Sequence, residues 1–437
     1  LIFNVENAIS TLGGNALEAL KTIPGVRIQG EEIKLAGKNT VRIMVNDKII
    51  QLSNDELQNY LTSIPSSNIQ KIEVITNPPA KYDAEGNSGL INIQLKKAKL
   101  DNWNTPLRSS YQQATYESIS HGIGFSYSKN KLSTLADLSY LHSRNIYTNN
   151  IHYYYPLEKW NNHIFYRNHR KNLSALLNLQ YDLAKKSRMG MRFLGSFSNN
   201  LSDEYYDSYS YYHTGQILLK HDYTEGKPYL KPQNIALNIN YNQKLNEKGE
   251  KFSIDADYFH NVSPKKNEFI SDLMNFEQKK NDKEYAFNNS NQSIKNYSLK
   301  TDFEFPYNWA NILFGAKISA TKTDNSLETN LYKKTDNSLI SAQNDHFQYT
   351  ENMQALYFNI SKSLKKWEIQ AGFRGGNTQT KAHSISGDEL TERNYFKLFP
   401  TLYLLYREND RHIFFSKFWK KNRPAWILGT KSCKTLQ

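Results

Sequence analysis

The chain has 437 residues, 38% of them hydrophobic, and carries 55 Lys and Arg against 42 Asp and Glu, a net charge of +13. So long a chain exceeds one ordinary globular core. A mean hydropathy of −0.71 would suit disorder, but disordered chains rarely carry 30 Tyr, 21 Phe and 6 Trp.

The basic excess would also suit a nucleic-acid binder. Its Lys and Arg residues are spread along the chain rather than clustered. No nucleic-acid partner is expected, and acidic lipopolysaccharide and membrane lipid use such charge equally well. Cys433 is the one cysteine, so no intrachain disulfide can form. No apolar run approaches the roughly 18 residues of a spanning helix. The longest, at 402–405, is far too short, so a membrane can be crossed only by closed β-structure. The chain opens on Leu1, without Met or a signal peptide, and an export segment missing from the N-terminus is expected.

Asn15 and Glu18 have capping-box spacing and predict a helix through Leu17, Leu20 and Lys21, ended by Pro24-Gly25. Residues 40–45 and 48–52 flank Asn46-Asp47, a hairpin turn signal. A second capping box, Ser53 with Glu56, opens a helix carrying Leu57, Leu61 and Ile64 on one face and stopped by Pro65. Strands follow at 69–76 and 89–95, around a loop rich in Pro, Asp and Gly. The order predicts a small α+β domain over 1–97, with no phosphate loop, metal-ligand spacing or nucleophile motif.

Four pieces of this stretch carry a resemblance. Leu17 to Val26 is similar to the "L-x-x-L-x-x-x-P-G-V" opening of the plug domain of TonB-dependent outer-membrane receptors. Val41 to Asp47 resembles the plug's "V-R-I-x-I-D-G" strand and turn, with Lys48 where Gly is usual. Ile69 to Ala80 resembles "I-E-x-I-E-V-I-x-x-P-x-A", and Lys81 to Ile93 resembles the "Y-D-A-x-G-x-x-G-I-I-N-I" exit to the barrel. That last form resembles the large outer-membrane β-barrel family of the Bacteroidetes. The resemblance implies plug-anchoring roles for Arg42, Glu73, Asp83, Gly86 and Gly89, with Arg42 and Glu73 facing charges of the barrel wall.

From residue 98 onward the chain alternates. Tyr297, Leu299, Phe303 and Phe305 oppose Ser298, Lys300, Asp302 and Glu304, and 235–242, 252–258 and 367–374 repeat the pattern. A soluble sandwich also alternates. The turns discriminate better. Short polar turns sit near Asn130, Lys185, Lys248, Tyr307, Lys365 and Asn409, spaced by 55, 63, 59, 58 and 44 residues. Between them long loops are expected at 146–167, 201–228, 266–289, 324–345 and 382–391. That asymmetry is the mark of an outer-membrane barrel. The fold class expected is membrane all-β: a small α+β plug followed by an incomplete antiparallel transmembrane β-barrel over 98–437. About 13 strands are expected, where plugged transporters use about 22.

Phe415 to Pro424 resembles the family's mid-barrel "S-x-x-x-x-R-P" segment with extra residues between, and alternation stops beyond it. A gene fragment, or a frameshift near 419–422, is expected. An in-frame family pattern beyond Pro424 in the genomic DNA is the check.

Tyr153, Tyr154 and Tyr155, and Tyr205, Tyr206 and Tyr209, fall in or beside the expected loops. Two readings stand: a stacking surface for an extracellular ligand, or the aromatic girdle at the lipid interface, which is the default. His152, His163, His169, His213 and His221 match no metal-ligand spacing. No metal or cofactor is expected. Asp83 and Glu85 sit in the Gly-rich exit and read as turn residues rather than an acid/base pair.

By resemblance, the parent protein imports an extracellular ligand, with a TonB-type energising complex pulling on the plug where the parent carries the N-terminal contact segment. The alternative is a non-transporting surface binding or assembly protein of the same fold. A soluble all-β enzyme would need paired carboxylates on converging strands, which the sequence does not display.

Overall fold

The computed structural model describes residues 1–8, 14–29, 32–36, 38, 40–50, 52, 54–75, 88–96, 102–212, 217–407 and 413–419. The N-terminal elements are β1 (Ile2–Phe3), α1 (Ala16–Lys21), β2 (Val26–Gln29), β3 (Glu32–Leu35), β4 (Thr40–Val45), β5 (Lys48–Ile49), α2 (Asn54–Ser63), β6 (Ile69–Ile75) and β7 (Ser88–Leu95). The Asn15 side chain accepts from the Glu18 N–H, and the Glu18 carboxylate accepts from the Asn15 N–H, both at 3.1 Å, completing the capping box. Asn46 and Asp47 take left-handed φ values of 51° and 67°, as a two-residue hairpin turn requires. Ser53 lies outside the described residues, so the second capping box does too. The β2–β3 hairpin is an element the sequence reading missed; its four-residue strands are too short to show periodicity.

These strands form a mixed sheet in the order β1-β6-β7-β4-β5, in which β4 and β7 run parallel, plus the separate β2–β3 pair. The core beneath it joins Leu17, Leu20 and Ile23 to Tyr60, Leu61, Ile64, Ile72, Ile91 and Ile93. Gly89 sits where a Cβ would come within 2.7 Å of the Leu35 side chain, so any larger residue there would have to push Leu35 aside.

A second sheet follows: β8 (Asn102–Asn104), β9 (Leu107–Gln113), β10 (Glu117–Lys129), β11 (Leu132–Tyr154), β12 (Glu158–Ala184), β13 (Ser187–Tyr212), β14 (Leu218–Gly226), β15 (Tyr229–Leu230), β16 (Gln233–Lys244), β17 (Lys251–Asn275), β18 (Lys280–Pro306), β19 (Asn311–Lys333), β20 (Leu339–Leu364), β21 (Trp367–Ser384), β22 (Glu389–Arg407) and β23 (Ile413–Trp419). Its sixteen described segments occupy thirteen positions. β8 and β9 both pair with β10, and β14, β15 and β16 share one lane between β13 and β17. The strand number expected from the alternation is borne out. All described pairings within this sheet are antiparallel. The short turns fall at the expected places, with Asn130 and Lys365 at φ values of 55° and 45°. The turn near Asn409 and the C-terminal stretch from 420 lie outside the described residues.

The expected long loops are corrected by the structure. Residues 146–154, 158–167, 266–275 and 280–289 are strand, and the hairpin tips are short. β12 alone runs 27 residues, more than twice the 9–11 that cross a bilayer. Ladder hydrogen bonds continue beyond the lipid, but both faces then meet water. Hydrophobic alternation therefore stops while the strand does not, and the sequence reads as loop.

Candidate functional site

Strand alternation divides the large sheet into two faces, and the N-terminal domain marks the inner one. Leu176, Leu194 and Phe259 join its core, with Leu135 and Ala236 packed against them. Leu176 lies opposite Leu194, Leu194 opposite Ala236, and Ala236 opposite Phe259, so four strands present one apolar rung. The rungs on either side are polar. One runs through Ser139, Ser174, Ser196, Asn234 and Asn261, the other through Asn178, Arg192, Asn238 and Asp257. The Tyr60 ring of α2 stands edge-on to Phe259, centroids 5.9 Å apart. Burial holds the Tyr60 phenol well above its ordinary pKa.

Polar contacts frame this apolar seam. The Asn68 amide donates to Asp137 on β11 at 3.0 Å, and Asp137 also pairs with Arg108 on β9. Glu18 acts electrostatically on Arg170, and Asp47 on Arg192. Above the seam the inner face carries a ladder of Asn and Ser side chains, interrupted by Arg170 and Glu204. Ser198 donates to Asn172 at 2.5 Å, Ser202 to Asn168 at 2.7 Å, and Ser208 to Asn162 at 2.8 Å.

Farther along the same inner face lies a column of aromatic rings. Tyr166 stands ten residues along β12 from Leu176, about 33 Å at the usual strand rise. Its ring lies 5.8 Å from Tyr147 and 5.7 Å from Tyr206, and the Tyr166 and Tyr206 hydroxyls are 2.8 Å apart. Toward the hairpin tip, Tyr155 stacks on Tyr153 at 6.4 Å and meets Trp160 edge-on at 5.7 Å. Glu204 accepts from the Tyr206 hydroxyl at 3.3 Å. Rings beside carboxylate, amide and hydroxyl groups can stack on a ligand face and hydrogen-bond its edge. Among the described residues no group of three or more His, Cys, Asp and Glu is arranged to hold a metal ion.

The six tyrosines singled out from sequence are therefore strand or hairpin-tip residues rather than loop residues, and alternation splits them. Tyr153, Tyr155 and Tyr206 belong to the inner column. Tyr154, Tyr205 and Tyr209 are on the outer side: Lys159 lies 5.4 Å over Tyr154, Phe165 packs 5.9 Å from Tyr205, and His221 stacks 4.3 Å from Tyr209. Tyr147, Tyr166 and Trp160 escaped the sequence reading because each lies outside the tyrosine clusters at 153–155 and 205–212. Only register brings them together. Of the anchoring residues read from sequence, Arg42 is half-buried on β4. Glu73 contacts Lys71 at 2.6 Å and Asn92 at 3.3 Å, both within the N-terminal domain. Gly89 packs against Leu35 there. Asp83 and Gly86 lie outside the described residues.

A mixed-sheet domain seated on the polar inner face of a large antiparallel sheet, whose outer face is apolar beside the short turns, has the architecture of a plug within part of a β-barrel of the outer membrane of a Gram-negative bacterium. Residues 243–426 match the outer membrane protein beta-barrel family. The fold is that of the TonB-dependent receptors. The ferric citrate transporter FecA in the unliganded form is similar at 13% identity and a TM-score of 0.52, over 94% of this chain and 60% of that one. The siderophore receptor PiuA from Acinetobacter baumannii is similar at 12% identity and a TM-score of 0.60, over 94% and 62%. The chain thus spans about three fifths of these two proteins. No curated protein sequence matches it.

Proposed function

We propose that residues 1–97 are the plug and 98–437 part of the barrel of a receptor that binds an extracellular ligand and admits it to the periplasm. The observation that carries this reading is the inner-face column of Tyr147, Tyr166, Tyr206, Tyr153, Tyr155 and Trp160 above a seated plug. A ligand stacked there meets the Asn and Ser ladder below, and the plug closes its path. A TonB-type complex of the inner membrane supplies the force that moves the plug. The work is binding and translocation, with no covalent step. The likeness in fold to a ferric citrate transporter and a siderophore receptor supports this reading.

Trp160 provides the test. Candidate extracellular solutes added to the purified protein should quench its fluorescence, and the signal should vanish in Trp160→Phe. Tyr166→Ala should weaken binding about five- to tenfold, the worth of one stacking contact. Binding that is unchanged in Tyr166→Ala and Tyr206→Ala would contradict the site. Binding without uptake in energised cells would make the protein a surface binding protein that does not transport.

A further inference from the structure

The outer face of the barrel has its own order. Starting from the short turns, β17, β18 and β19 present apolar and aromatic residues outward, Thr301 excepted, ending at Tyr258, Tyr297 and Ala320 in one cross-strand rung. The rings of Tyr258 and Tyr297 lie 5.1 Å apart, placed as interfacial aromatics are. The next outward rung is His260, Lys295 and Lys322, opposite one another on the three strands.

Like charges directly opposed across a ladder, with Cβ atoms about 5 Å apart, destabilise it. Lys295 and Lys322 are both exposed. Among the described residues neither has a hydrogen bond or an ion pair. The neighbouring Asp324 is taken by His346 at 3.1 Å and Gln348 at 2.7 Å. The arrangement recurs elsewhere on the wall. On β11 and β12, His142 lies opposite Lys171 in the first outward ionisable rung beyond the apolar run. Two strands depart from it: β13 presents Asp203 beside Arg167 and His169, both at 3.9 Å, and β22 presents Glu392 paired with Lys381 at 2.9 Å.

We propose that Lys295 and Lys322, with His260 beside them, form a docking site for the phosphate of an outer-leaflet lipid, the lipid A headgroup of lipopolysaccharide. The site continues the lipid-facing belt at its extracellular rim. Acyl chains lie on the apolar rungs below, and a phosphate between the two ammonium groups turns repulsion into two charge-assisted contacts. The inference is independent of whether the receptor transports anything.

The test uses the full chain, purified in mild detergent and delipidated, with binding of bis-phosphorylated lipid A followed by native mass spectrometry. A surface lysine near an anionic membrane is worth about a factor of five. Lys295→Gln with Lys322→Gln should therefore bind about thirtyfold more weakly, and the paired Arg variants should bind as wild type. Dephosphorylated lipid A should bind wild type as weakly as phosphorylated lipid A binds the double Gln protein. Should the double variant fail to fold, Lys322→Gln alone should lose about fivefold. Unchanged binding in the Gln variants overturns the proposal. So does inorganic phosphate that binds as tightly as phosphorylated lipid A, which would make this a site for the free anion.

Discussion

Tyr60 of the plug and Phe259 of the barrel wall meet edge to face, with ring centroids 5.9 Å apart and an angle of 87° between the rings. Phe259 ends the only apolar rung in the polar surroundings of the described plug–wall seam, and Leu176 and Leu194 continue it. A plug seated on a wholly polar wall would trade water for wall hydrogen bonds at little net gain. Burying these side chains gives it a preferred seat, at roughly 1.5–3 kcal/mol for each large side chain buried.

Truncation at the seam should loosen the plug and spare the barrel. Phe259→Ala is expected to cost the docked plug about 3–5 kcal/mol. Protease release of the plug in urea should shift to lower denaturant, while the heat-modifiable migration of the barrel stays as it is. A barrel that loses its folded migration together with the plug would show that the seam supports both.

The buried phenol of Tyr60 makes plug docking sensitive to alkali. Its folded pKa is raised by burial, so the stability it confers is full below its ordinary value of about 10. That stability is lost as pH rises from there toward the folded value. Protease release measured between pH 8 and pH 11.5 should therefore climb above about pH 10. Tyr60→Phe should show a smaller climb than wild type, and identical slopes would contradict the linkage.

Asp137 is held by two partners of unequal worth. Its carboxylate is 4% exposed and paired with Arg108, and it accepts from Asn68 at 3.0 Å. Arg108→Ala strands a buried charge and should cost about 3 kcal/mol, at the low end because Arg108 is itself partly exposed. Asn68→Ala should cost about 1 kcal/mol. Chemical denaturation should rank the two in that order, and the reverse order would mean that the plug contact, not the wall pair, satisfies Asp137.

Asn92 is a completely buried amide on β7. It donates to Asp47 at 2.8 Å and to Glu73 at 3.3 Å, and accepts from the Asp47 N–H at 3.0 Å. Asn92→Leu keeps the volume and removes all three bonds, at an expected cost of about 1–3 kcal/mol. Hydrogen exchange across the β4–β5 hairpin should accelerate. Unchanged protection would show that the turn holds itself through Asn46, which accepts from Leu95 at 2.9 Å.

What could be read in the sequence was what is local. The Asn15–Glu18 capping box, the Asn46-Asp47 turn and the short turns at Asn130 and Lys365 each depend on a few adjacent residues. Alternation over 297–305 likewise carried the lipid and lumen faces of β18. Tyr60 and Phe259, or Asn68 and Asp137, lie too far apart in the chain for any periodicity to join them. The six tyrosines show the same limit. Tyr205 and Tyr206 look alike in sequence, yet one step of register puts the first on the outer face and the second in the inner column.

The most direct test of a plug that moves is to lock it. Asn68→Cys on the plug and Asp137→Cys on the wall, bridged by a short bifunctional methanethiosulfonate, fix the seam with a link that a reductant cleaves. Once a ligand has been found by Trp160 quenching, its binding and its uptake by energised cells are compared in the locked and reduced protein. The transport account predicts unchanged binding, no uptake while locked, and uptake restored on reduction. Equal uptake in the locked and reduced states would contradict it.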